Sequence, residues 1–123
     1  MLKTELEFSF DKHLLPTVYE HLLDLRKYGE VHPSIVSVIP LRHINNFTTE
    51  YQVEEHFTIC NRCVYSPKYK AIIEEVHPHK LVTYRSHIRS NYYLFIDYDF
   101  THKGSDEIFL TEKITVSGNK VVA

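Results

Sequence analysis

The chain has 123 residues, of which 43% are hydrophobic and 24% charged, and a formal net charge of -2. This composition fits one soluble domain that needs neither disulfide nor metal to hold together. The scattered Lys and Arg residues exclude the basic stripe of a nucleic-acid binder, and no apolar run nears the roughly 20 residues of a membrane span.

The opening MLKTELEFSF mixes charged and apolar residues, unlike a signal peptide, so a cytoplasmic location with reduced thiols is expected. The nine histidines are numerous for this length. Most are expected at the surface, where their protonation between pH 7 and about pH 5 would reverse the sign of the net charge.

In chain order, Glu5 to Phe10 alternates, with Leu6, Phe8 and Phe10 on one side, and predicts a first strand. Asp11 offers an N-cap and Pro16 suits a first helical turn. Val18, Tyr19, Leu22, Leu23 and Leu25 then recur at helical spacing. Gly29 and Pro33 limit the second helical stretch, Leu25 to His32, to a turn or two. Ile35 to Leu41 is a β-branched run, and Asn45-Asn46 makes the turn into the next strand.

That next stretch, Phe47 to Ile59, alternates most cleanly. Phe47, Thr49, Tyr51, Val53, Glu55, Phe57 and Ile59 form an apolar column broken only by Glu55. Val64 to Val76 predicts a further strand, with Pro67 at an edge or bulge. His77-Pro78-His79 is a turn. Leu81 to Ile88 comes next, then a reversal at Ser90-Asn91, then Tyr92 to His102 with Tyr98 and Phe100 in its apolar column. Lys103 to Asp106 reads as a hairpin loop. Glu107 to Ser117 places Glu112 among Ile108, Leu110, Ile114 and Val116. Local hairpins of this kind predict an antiparallel meander with one apolar face that something must cover.

Several segments resemble the START-like superfamily of polyketide cyclases/dehydrases and lipid transport proteins, the birch-pollen-allergen helix-grip fold. FSFDKHLLPTVYEHLLDLRKYGEVHPSIVSVIPL is similar to its first strand, helix pair and second strand, with Leu22 to Leu25, Tyr28 and His32-Pro33 as the matching signals. EEVHPHKLVTYR resembles its middle turn, and FTHKGSDEIFLTEKITVSG its last hairpin. The resemblance implies an α+β helix-grip fold over residues 1–123, a single domain. It would have a curved antiparallel sheet of six to seven strands and two short helices after the first strand. The family's long C-terminal helix has no counterpart before Ala123, so truncation, or a second subunit over the open sheet face, is expected in its place.

The resemblance also implies a cavity between sheet and helices for a hydrophobic small molecule such as a lipid, sterol, isoprenoid or polyketide. Tyr51, Phe57, Tyr84, Tyr98 and Phe100 fall in inward columns and suit a ligand-binding wall, although the same periodicity describes a filled core. His32 belongs to a loop that family members place at the cavity mouth. Glu55 and Glu112, if both faced one apolar cavity, would act as acid and base in a small cyclase or dehydrase; otherwise Arg85 or Lys113 pairs with one of them. A third reading is a protein-interaction module of the chaperone-activator type.

Cys60-Asn61-Arg62-Cys63 is a lone C-x-x-C between two strands. Zinc takes four ligands, and the spacing of His56, His77 and His79 does not demand a site, so a hairpin tip without metal is expected. Three isolated glycines build no phosphate loop, and no cofactor is expected.

Overall fold

The computed structural model describes residues 2–30, 32–59, 63–89 and 92–118, with the backbone alone for residues 57–59, 63–65, 88 and 89. Strand β1 (Leu2–Asp11) leads into a 3-10 turn, Lys12–Leu14. The Asp11 carboxylate caps that turn, accepting from the His13 backbone N–H at 3.1 Å. Helices α1 (Leu15–Leu23) and α2 (Leu25–Glu30) come after it, with Pro16 in the first turn of α1.

The remaining chain forms strands β2 (Ile35–Asn45), β3 (Thr48–Glu55), β4 (Phe57–Ile59), β5 (Cys63–Tyr65), β6 (Lys68–His77), β7 (Leu81–Arg89), β8 (Tyr92–Lys103) and β9 (Glu107–Gly118). Seven of them make one curved antiparallel sheet in the order β1-β9-β8-β7-β6-β3-β2, while β4 and β5 pair separately. The first strand therefore closes the sheet against the last. The loop between β8 and β9 turns at Gly104, whose φ of 70° is left-handed and open to glycine without strain.

Two expected strands are interrupted. The stretch from Phe47 to Ile59 leaves the large sheet at His56, whose backbone N–H donates to Ser34 O at 2.8 Å instead of to a neighbouring strand. The stretch from Val64 to Val76 breaks at Ser66-Pro67, because proline has no N–H for the ladder. Cys60, Asn61 and Arg62, the reversal at Ser90-Asn91 and the chain from 119 to 123 lie outside the described residues.

The concave face fills unevenly. At one end α1 packs through Tyr19, whose ring lies 5.5 Å from that of Phe100, over the buried Val82, Ile108 and Leu110. Tyr19 also donates a 2.5 Å hydrogen bond to Glu75 Oε2, which ties α1 to β6. At the other end, beneath Leu22, Leu25 and Tyr28, space between helices and sheet stays open.

Candidate functional site

The open space is a cavity of about 360 Å³. Its roof is Leu22 of α1, Leu25 and Tyr28 of α2, and His32 of the adjoining loop; Ile35 of β2 closes one flank. The floor comes from inward positions of the sheet: Val53 and Glu55 of β3, Tyr69 and Ile73 of β6, Tyr84 and Ser86 of β7, and Leu94, Ile96 and Tyr98 of β8. Ser86 of this floor is directly opposite both Ala71 of the buried core and Leu94 of the wall.

The polar groups form a line. Glu55 accepts a 3.3 Å hydrogen bond from Ser34 Oγ, and the Tyr28 and His32 rings lie 5.2 Å apart beside it. Backbone bonds from His32 N–H to Gly29 O and from Ile35 N–H to His32 O hold this loop at the end of α2. Burial pushes the Tyr69 hydroxyl far above its ordinary range, helped by the neighbouring Tyr84 and the Glu55 carboxylate. Burial likewise raises Tyr84, against the opposing polarity of the Ser86 and Tyr69 hydroxyls, and Tyr98, with Glu112 adding to the rise. Tyr28 is raised by burial and by both Glu112 and Glu55. All four phenols are thus held protonated, as hydrogen-bond donors.

His32, Glu55, Tyr84 and Tyr98 meet in the cavity wall. Tyr51 and Phe100 do not: both are buried in the packed core, Phe100 between Phe10 and Tyr19. They share the inward column but sit where the helices press against the sheet. The Phe57 side chain lies outside the described residues. Glu112 is not part of the wall; it stands opposite Tyr98 on β9, with its carboxyl raised above the usual range by burial. Neither cation considered for these carboxylates reaches them: Arg85 faces Glu74 at 3.5 Å, and Lys113 is registered opposite Asp97. Tyr69 shares a column with Ala71 and Ile73, and Ser86 one with Val82 and Tyr84, but alternation does not separate a cavity wall from a filled core, so neither stood out as a site residue.

Among the described residues, no cluster of His, Cys, Asp and Glu could hold a metal ion, and no helix is long and apolar enough to cross a membrane.

No family model matches the chain, and no curated protein matches it in sequence. Solved structures do match. A ginseng (Panax ginseng) major latex-like protein superposes with a TM-score of 0.66 at 13% identity, over 100% of this chain and 85% of that one. The Zhui aromatase/cyclase from a Streptomyces species gives 0.62 at 12% identity, over 95% of this chain and 70% of that one. Norcoclaurine synthase from Thalictrum flavum gives 0.60 at 11% identity, over 95% and 70%. At such identities the likeness speaks to architecture, and on that basis the chain has the helix-grip fold found in START-like and polyketide cyclase structures.

Proposed function

We propose that this chain binds a hydrophobic small molecule, such as a lipid or polyketide, in the cavity between sheet and helices, for sequestration or transport. The observation that carries this reading is the wall itself. Aliphatic side chains supply most of it, four protonated tyrosines and Ser86 supply the hydroxyls, and a carboxylate and a histidine stand together at one end. Its volume of about 360 Å³ lies within the range of small-molecule sites. Tyr84, Tyr98 and His32 are retained as binding residues, joined by Tyr28 and Tyr69.

Native mass spectrometry of the purified protein tests this. An excess mass that disappears on denaturation, or displacement of a bound anilinonaphthalene dye by fatty acids or flat aromatic compounds, is the expected result. Protein that carries no extra mass and binds neither dye nor any such compound would sink the reading.

The acid-base alternative has one observation in its favour. Glu112 is a carboxyl whose burial favours the protonated form, one side chain behind the wall at Tyr98, while Glu55 is in the wall. A cyclase or dehydrase would use Glu55 or Glu112 as its general acid or base. Glu55→Gln would then abolish turnover while leaving ligand binding intact.

A second copy of the chain is proposed as the partner over the exposed part of the concave face. Leu2, Leu6 and Phe8 of β1 share the side of Leu110, yet remain 61%, 43% and 48% exposed. An uncovered apolar strip of this kind favours association.

A further inference from the structure

Granted the cavity as a ligand site, we propose that Ser86 Oγ reads an oxygen on the ligand, hydrogen-bonding a hydroxyl or carbonyl that enters ahead of an aromatic or polycyclic body. Ser86 is only 4% exposed, and its Oγ has no hydrogen-bond partner among the described residues. A buried hydroxyl left unpaired is a standing cost to a fold, and alanine would line a dry cavity without that cost.

Its surroundings show which partner fits. Ala71 and Leu94, directly opposite on either side, offer no polar side chain. The Tyr84 hydroxyl, two residues earlier on the same side of β7, is near enough for the Ser86 and Tyr69 hydroxyls to favour its ionised form, yet Ser86 Oγ has no partner at hydrogen-bond distance. A ligand hydroxyl set between Ser86 and Tyr84 can accept from one and donate to the other, and a ligand carbonyl can accept from both. The remaining wall near this point is Leu94, Ile96 and Ile73, which suits an apolar ring system. The polar line then resumes at Tyr69, Glu55 and Ser34. Ser86 is therefore a specificity-determining residue, which selects among molecules of similar shape by one oxygen and fixes which end goes in first.

Naphthol and naphthalene share a ring system and differ by one hydroxyl, so their relative affinity, read by displacement of an anilinonaphthalene dye, isolates this contact. The intact protein is expected to bind naphthol roughly fivefold more tightly than naphthalene, the effect of one net hydrogen bond. Ser86→Ala should bind naphthalene unchanged and lose the preference. Without ligand it should melt no lower than the parent, because it removes only an unpaired hydroxyl. Ser86→Cys, similar in volume and a weak donor, should fall between the two. A preference that persists in Ser86→Ala, or one absent from the intact protein, overturns the assignment while leaving the cavity a ligand site. If neither compound binds, the cavity reading itself fails and the assignment falls with it.

Discussion

Tyr98 and Glu112 face each other directly across β8 and β9, and burial raises the pKa of both, with the glutamate charge adding to the rise at the tyrosine. Burial favours the protonated form of each. A carboxyl whose folded pKa is raised stabilises the fold below its unfolded pKa of about 4.3, and that stability is lost as pH climbs through the folded value. Glu112 makes no ion pair or hydrogen bond among the described residues to offset the loss. Glu112→Gln should therefore raise the melting temperature at pH 7 by a few degrees and leave it unchanged near pH 4. Equal melting of both proteins across that range would show that burial of Glu112 carries no cost.

The same sign applies at the alkaline end. Tyr19, Tyr28, Tyr51, Tyr69, Tyr84 and Tyr98 are all raised, burial being the largest cause for each. Their contribution is intact below the unfolded tyrosine value of about 10 and is lost above it. Absorbance titration of phenolate should show these six ionising together with loss of far-ultraviolet circular dichroism, not in sequence beforehand. Smooth independent titration of every tyrosine in folded protein would contradict the buried placement.

How much of this could be read from the chain differs between face and depth. Alternation gave the inward side of β7, β8 and β9, so Tyr84, Tyr98 and Glu112 could be named from their columns. Period two says nothing of where along a strand a helix presses down. Tyr51 and Phe100 were for that reason indistinguishable from Tyr84 and Tyr98, though the former pack in the core and the latter line the cavity. Ser86 of the wall stands opposite Ala71 of the core across β6 and β7, a pairing set by register between strands and invisible in either strand alone. The closure of β1 onto β9 joins the two ends of the chain, and no local hairpin signal could report it.

Helix α1 is tied to β6 by a polar contact through its buried residue Tyr19. The phenol donates to Glu75, its ring stacks 4.7 Å from His79, and His79 itself occupies a left-handed φ of 58°. Tyr19→Phe keeps the ring packing and removes the donor, leaving a partly buried carboxylate without it. A loss of about 1–2 kcal/mol in urea unfolding is expected, with an unchanged m-value. A loss below about 0.3 kcal/mol would mean that water replaces the phenol freely.

The packing of α2 against β2, beside the cavity, is tested at Gly29. A Cβ there would lie 3.0 Å from Val38 Cγ2 and 3.2 Å from Ile35 Cγ2, tighter than ordinary contact. Alanine gains helix propensity of about 1 kcal/mol and asks the two methyl groups for only a slight shift, so Gly29→Ala should be close to neutral. Valine adds two methyl groups where there is no room, and overpacking of this kind costs roughly 1–3 kcal/mol. Because Tyr28 and His32 flank the position, Gly29→Val should also weaken dye binding more than its stability loss explains.

Self-association is tested on β1, away from the cavity wall. Leu6 and Phe8 stand opposite Glu112 and Leu110, on the concave side. If a second copy covers them, sedimentation at tens of micromolar should show a dimer that is insensitive to salt, since the contact is apolar, and weaker on cooling. Replacing Leu6 and Phe8 together by serine should yield a monomer with an unchanged affinity for the dye, because neither residue lines the cavity. A parent protein that is already monomeric at that concentration would exclude this dimer, whereas a dimer that survives the double substitution would place the interface on another surface.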